Sequence, residues 1–251
     1  MNSSVFSVCM VDAVYFSLVN KKVLLVTGKV ERLLKGITTN TLDAPMNAFI
    51  NQFGKIEVLF AQTFVGDHAY LVLEEQFVDR LRVFLEKYLR LARATIMDSG
   101  LNVYHVMGSV DESYGYCIPQ RIGYLVLAQD TPPLEAINEE VYTALRVENN
   151  MSVQGVDFDQ EMILNTNWKD VASLTKGCYL GQEVVARVAN LGKPPKKMIR
   201  VLLAEKKETV LVDGVSVPIT SLCYSQERKK WMGFCMVKNE DVSLEDASIF
   251  E

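Results

Sequence analysis

The chain has 251 residues, of which 49% are hydrophobic and 23% are charged, with a net charge of -5 at pH 7. This length can bury two packed domains, and the composition is that of a soluble globular protein. The acidic balance disfavours a general nucleic-acid binder, because neutralising phosphates requires a concentrated basic surface.

The five cysteines are scattered and form no CxxC pair. The pattern therefore predicts neither a disulfide framework nor a zinc site, and it fits a reducing cytoplasm. Residues 1–16 carry no basic cluster and Asp12 interrupts their apolar run, so we expect no signal peptide, and no stretch is long enough to span a membrane. With only His68 and His105 available, chemistry that needs several histidines is disfavoured, and we expect each to be a surface residue or a hydrogen-bonded core residue.

Strand and helix signals alternate through the first two thirds of the chain. Residues 23–26 form a short apolar run, after which Gly28 predicts a turn and residues 31–36 a helix, with further strands at 56–60 and 69–73. From Phe77 to Leu91, apolar residues recur at helical spacing, so we expect an amphipathic helix that packs on a sheet. A second helix is predicted over 134–145, after a pair of prolines.

After Pro194 and Pro195 only short strands are predicted, at 198–203, 209–212, 215–217, 221–224 and 231–237. Asp213 and Gly214 supply a hairpin turn between two of them. Short, regularly spaced strands are typical of a small barrel or sandwich. We therefore predict an α+β protein with a boundary near residue 195, which separates residues 1–195 from residues 196–251.

Residues 176–187, KGCYLGQEVVAR, are the richest candidate for chemistry. A thiolate at Cys178 is favoured if the ammonium of Lys176 is close to it. If GQEVVAR begins a helix, with Gly181 as its entry residue, Glu183 and Arg187 share one face and can pair. The alternative is a rigid structural loop, in which Gly177 and Gly181 serve only the backbone.

This segment, which we call the signature loop, resembles the pattern Lys-Gly-Cys-Tyr/Phe-x-Gly-Gln-Glu-x-x-x-Arg of the YgfZ-type folate-binding proteins. These are relatives of the aminomethyltransferase (T-protein) of the glycine cleavage system. The likeness extends to residues 24–40, 51–59 and 146–158. It implies two interleaved α+β subdomains and a C-terminal β-barrel, arranged around a central cavity that receives tetrahydrofolate.

The resemblance also implies roles for individual residues. Glu148 matches the T-protein glutamate that pairs with the pterin, and Glu57 stands near the acid that faces the folate N5 and N10, although the paired aspartates of the T-protein are absent. The walls of the cavity and the cations for the folate tail are then assigned to Tyr179 or Phe158, and to Arg187, Lys193 or Lys196.

Three functions follow from the resemblance. The first is a tetrahydrofolate-binding accessory protein that supports iron–sulfur client enzymes, acts as a cytoplasmic monomer and contacts neither nucleic acid nor membrane. In it, Cys178 could accept a one-carbon unit, exchange disulfides or touch a cluster transiently. The second is a folate-dependent aminomethyl- or methyltransferase that depends on Glu57. The third is an interaction module with a vestigial pocket.

Overall fold

The computed structural model describes residues 13–240 and 243–250. In these residues, mixed sheets and a few helices form an α+β fold. The predicted features of the N-terminus, including Cys9, lie outside them. The helices are α1 (Val30–Leu34), α2 (Val78–Ala92), α3 (Glu139–Glu148) and α4 (Gln182–Asn190).

Seventeen strands occur in the described residues and are numbered in chain order. They are β1 (Val14–Ser17), β2 (Lys21–Gly28), β3 (Met46–Ile50), β4 (Ile56–Val65), β5 (His68–Glu74), β6 (Ala94–Asp98), β7 (Asn102–Met107), β8 (Tyr116–Pro119), β9 (Tyr124–Ala128), β10 (Glu135–Ala136), β11 (Lys196–Leu203), β12 (Thr209–Val212), β13 (Val215–Pro218), β14 (Thr220–Ser225), β15 (Lys230–Lys238), β16 (Leu244–Glu245) and β17 (Ala247–Phe250).

Two five-stranded sheets form the first part of the fold, in the orders β3-β4-β5-β2-β6 and β10-β1-β7-β9-β8. Helices α1 and α2 cover one face of the first sheet, where Phe49 and Phe60 are buried. Its other face packs partly on the second sheet and partly on the signature loop and α4. The signature loop is thus anchored on the sheet that carries α1.

Helix α2 confirms the predicted amphipathic helix, with Leu81 and Leu85 fully buried. The apolar stripe is shorter than predicted, because Leu91 in the last turn is 72% exposed. Helix α3 begins later than predicted, since residues 135–136 instead pair in parallel with β1. The Asn138 side chain caps α3 by accepting a hydrogen bond from the Val141 N–H.

The C-terminal strands form two sheets, β14-β15-β11-β17 and β13-β12-β16, which share one core. Among the described residues these sheets do not join through hydrogen bonds into the closed barrel that was expected. Pro218 ends β13 and has no N–H to donate, and the chain then turns so that the Ile219 N–H bonds back to the Glu208 carbonyl. The arrangement is an open pair of sheets.

Helix α3 joins the C-terminal sheets to the rest of the fold. Val147 packs with Cys223, Met232 and Phe234 in one buried cluster. Within residues 13–240 and 243–250, no helix combines the length and the apolar character that crossing a membrane requires.

Candidate functional site

The signature loop reaches α4 through two glycines with positive φ. Gly181, at φ 78°, is the residue before the first turn of α4, which confirms the predicted helix entry. A Cβ on Gly181 would lie 2.3 Å from the Asn51 carbonyl oxygen, so only glycine fits there. Gly177 also has a positive φ, 85°, but a Cβ there would meet nothing within 4 Å.

Lys176 ties the signature loop to the end of α1. Its Nζ donates to the Lys35 carbonyl at 2.9 Å, to the Thr38 carbonyl at 2.7 Å and to Thr38 Oγ1 at 3.1 Å. Burial and the nearby Lys35 ammonium lower the pKa of Lys176 to about 8. These bonds occupy the three N–H groups of the ammonium. In this geometry Lys176 holds the loop, and a direct hydrogen bond to Cys178 is not present.

Cys178 is the exposed cysteine among the four that the structure describes. Burial raises the pKa of both Cys223 and Cys235 to about 12. Burial and the carboxylates of Glu112 and Asp111 raise the pKa of Cys117. Of the described thiols, Cys178 is therefore the one that a large reagent or partner can reach.

Tyr179 points the other way, into the protein. Its hydroxyl donates to the Ser173 carbonyl at 3.1 Å, and its ring is buried with Trp168 and Val185. Burial raises the pKa of Tyr179 to about 12. The tyrosine thus anchors the loop that exposes its neighbour Cys178.

The predicted Glu183–Arg187 pair is not formed. Both side chains are exposed on α4, and none of the ion pairs among the described residues joins them. Lys196, a candidate for the folate tail, instead pairs with Glu161 at 3.0 Å. Lys193 is exposed. Of the three expected cations for a folate tail, Arg187 and Lys193 are thus exposed and Lys196 is engaged by a carboxylate.

Glu57 stands in a network at the turn that packs against α4. Its Oε1 accepts from Asn51 Nδ2 and its Oε2 from Gln160 Nε2, both at 2.8 Å. The neighbouring Gly54 lies against Val184 and Val185. The structure thus places the turn before β4 against the signature loop, so that the two form one surface.

Glu148 lies elsewhere, at the contact between α3 and the C-terminal sheets. Ser225 Oγ donates to its Oε1 at 2.7 Å, and Arg228 Nε lies 2.9 Å from its Oε2. None of the four residues predicted to bind folate, Glu148, Tyr179, Arg187 and Glu57, lines either of two cavities: one of about 60 Å³ between the two five-stranded sheets and a cleft of about 970 Å³ beside α1. The structure does not gather them into a single ligand site.

The central cavity, of about 60 Å³, lies where the two five-stranded sheets meet. Its lining includes the buried groups His105, Tyr142, Arg146, Gln154 and Trp168. One water needs roughly 10–15 Å³, whereas pockets for drug-sized ligands occupy roughly 300–1,000 Å³. This cavity has room for a few waters and is too small for a folate.

His105 in this cavity is fully hydrogen-bonded. Its Nε2–H donates to the Ile122 carbonyl at 2.7 Å, so its Nδ1 accepts from the Tyr142 hydroxyl at 3.0 Å. Burial lowers the pKa of His105 to about 4, which keeps the ring neutral at neutral pH. His68 is exposed. Both histidines thus confirm the expectation of a surface or satisfied core residue.

A larger cleft of about 970 Å³ lies on the α1 side of the first sheet. Cationic, apolar and acidic side chains from several segments form its walls, and Lys176 is the contribution of the signature loop. The walls include Lys29, Val30, Glu31, Arg32, Lys35, Leu42, Asp43, Phe64, Asp67 and Lys176.

The sequence interpretation missed this cleft, although one signal was present. Arg32 and Lys35 are three residues apart in the helix predicted over 31–36, and Lys29 lies three residues before Arg32, a spacing that places side chains near one another on a helix. No group of three His, Cys, Asp or Glu side chains suited to a metal ion occurs in the described part of the chain.

The fold is similar to that of a glycine cleavage aminomethyltransferase. The crystal structure of the glycine cleavage system aminomethyltransferase T from Bartonella henselae superimposes with a TM-score of 0.75, over 96% of this chain and 85% of that one. The identity is 12%, so the likeness establishes the fold alone. No family model and no curated protein matches the sequence.

Proposed function

We propose that this chain is a tetrahydrofolate-binding accessory protein that supports iron–sulfur client enzymes through Cys178. The observation that carries the proposal is the exposure of this one thiol on a loop that is otherwise tied down. Lys176 and Tyr179 hold the loop on either side of it, and Gly181 packs against Asn51. Cys178 is the only exposed cysteine among the described residues, and these contacts hold it at a defined place.

The thiol suits a transient role. As a thiolate, Cys178 supplies one sulfur ligand to iron, whereas a stable cluster is commonly held by four cysteines. The other described cysteines are buried or half-buried on other elements. A single exposed ligand favours brief contact with a cluster that a client enzyme then keeps.

A second candidate, aminomethyl transfer to folate, is favoured by the likeness of the fold to aminomethyltransferase T. Against it, both carboxylate oxygens of Glu57 are engaged by Asn51 and Gln160, which leaves the carboxylate less free to act on a substrate. The fold alone does not carry chemistry, because one fold hosts many functions. We therefore rank the accessory role first.

Calorimetric titration of tetrahydrofolate into the wild type and Cys178→Ala tests the ligand part of the proposal. We expect saturable binding with the same Kd in both proteins, because the exposed thiol is not needed to hold the ligand. Release of a one-carbon product from an aminomethyl donor in the same mixture, lost in Glu57→Gln, would instead support the transferase. Absence of tetrahydrofolate binding to the wild type would contradict the folate assignment.

A further inference from the structure

The cleft on the α1 side of the first sheet is separate from the central cavity. Along β4 successive side chains alternate between the two faces of the sheet. Phe64 packs on the α1 side and lines the cleft, whereas Leu59 and Ala61 line the central cavity. A ligand in the cleft therefore does not need the centre of the protein to open.

Unpaired cations are concentrated on one wall of the cleft. The exposed side chains of Lys29 and Arg32 make no hydrogen bond or ion pair with the described residues, and Lys35 meets only Glu31, at 3.8 Å. Lys176 completes this wall, and its pKa is lowered in part by Lys35. An anionic group between these like charges would relieve their repulsion.

The remaining walls of the cleft are apolar and acidic. Val30, Leu42 and Phe64 supply an apolar surface that belongs to the edge of the helix-covered core. Asp43 and Asp67 are exposed on two other loops and form no ion pair among the described residues. Free carboxylates accept hydrogen bonds from the N–H groups of a ligand.

The volume is that of a small-molecule site. At about 970 Å³ the cleft lies within the usual range for such sites, roughly 300–1,000 Å³. Its lining contains four cations and three carboxylates, and Glu31 is the one of these carboxylates that forms an ion pair with a described residue. The cleft is thus locally positive in a protein whose net charge is -5.

We propose that this cleft binds a small molecule that has a multiply charged anionic tail, an aromatic body and N–H donors at its head. Lys29, Arg32 and Lys35 meet the tail, Phe64 and Leu42 pack on the body, and Asp43 and Asp67 accept from the head. A folate is one such ligand, and for that ligand alone the inference rests on the proposed function. An adenine nucleotide has the same chemistry, with phosphates in place of carboxylates.

Titration of p-aminobenzoyl-triglutamate and of ADP into the whole protein tests the inference. It also distinguishes a tail of carboxylates, as in a folate, from a tail of phosphates, as in an adenine nucleotide. We expect one of the two to bind, with a Kd that rises roughly two- to thirtyfold in Arg32→Ala/Lys35→Ala, because two exposed charge contacts are lost, each contributes roughly 0.2–1 kcal/mol, and 1.4 kcal/mol is tenfold in Kd. Raising the salt concentration weakens the same binding. The matched control is Arg82→Ala/Lys87→Ala, which removes two exposed cations of α2 outside the cleft and leaves the Kd unchanged.

Equal Kd values in both double variants, or no binding of either ligand to the wild type, would overturn the inference. Titration of tetrahydrofolate distinguishes a failure of this inference from a failure of the proposed function. If it binds the wild type and Arg32→Ala/Lys35→Ala alike, the cleft is not its site although the protein binds folate. If it does not bind while ADP does so through Arg32 and Lys35, the cleft assignment stands and the folate assignment fails.

Discussion

Replacing Asp157 with alanine is expected to lower the free energy of unfolding by about 3–5 kcal/mol, the usual loss when a buried charge loses its partner. The Asp157 side chain is fully buried and lies 3.6 Å from the Arg146 guanidinium. It also accepts from Ser221 Oγ at 2.6 Å and from the Val153 N–H at 2.7 Å. The alanine variant leaves Arg146 buried beside two unsatisfied donors, and urea unfolding measures the loss.

Asp159 is the matched control for this change. It lies two residues further along the chain and pairs with Arg80 at 2.6 Å, but its side chain is 52% exposed. Exposed pairs contribute about 0–1 kcal/mol, so Asp159→Ala should unfold at nearly the urea concentration of the wild type. If the two variants lost equal stability, the buried contacts of Asp157 with Arg146 and Ser221 would contribute no more to stability than the exposed Asp159–Arg80 pair.

Gly181→Ala is expected to destabilise the protein by about 2–6 kcal/mol, the sum of a backbone cost and a packing cost. The alanine must adopt a positive φ, which costs roughly 1–3 kcal/mol, and its Cβ meets the Asn51 carbonyl at 2.3 Å, so that overpacking adds roughly 1–3 kcal/mol. Because Asn51 also holds Glu57, the change displaces both parts of the surface around α4. Thermal unfolding measures the shift.

Gly177→Ala separates the cost of the positive φ from the cost of the steric overlap with a neighbouring carbonyl. This position shares the positive φ but has nothing within 4 Å of the added Cβ, so only the backbone strain applies, roughly 1–3 kcal/mol. The account therefore requires Gly181→Ala to be the more damaging of the two. Similar losses in both variants would mean that the close approach of the signature loop to Asn51 is not maintained in solution.

Local patterns predicted local structure well. The Asp213–Gly214 pair predicted a hairpin, and both residues have positive φ, as a tight turn between β12 and β13 requires. The apolar spacing through Leu81 and Leu85 predicted α2, because burial on one face leaves a periodic record in the sequence. Gly181 predicted the start of α4, because few other residues adopt the positive φ that this position has.

The candidate site was less predictable, because it depends on partners that are distant in sequence. The contacts of Glu148 come from Ser225 and Arg228, about 80 residues away, so the sequence carries no local sign that this carboxylate faces the C-terminal sheets. Strand signals likewise did not reveal whether the last sheets would close, since closure depends on which edges pair. The cleft depends on α1, two loops and Lys176, which only the fold brings together.

The role of Cys178 is tested most directly by the activity of an iron–sulfur enzyme in cells that lack this protein and receive it back as wild type, Cys178→Ser or Cys117→Ser. The account predicts that wild type and Cys117→Ser restore the enzyme, whereas Cys178→Ser, present at the same level, restores little of it. Full restoration by Cys178→Ser would contradict the claim that the exposed thiol of the signature loop is the working group.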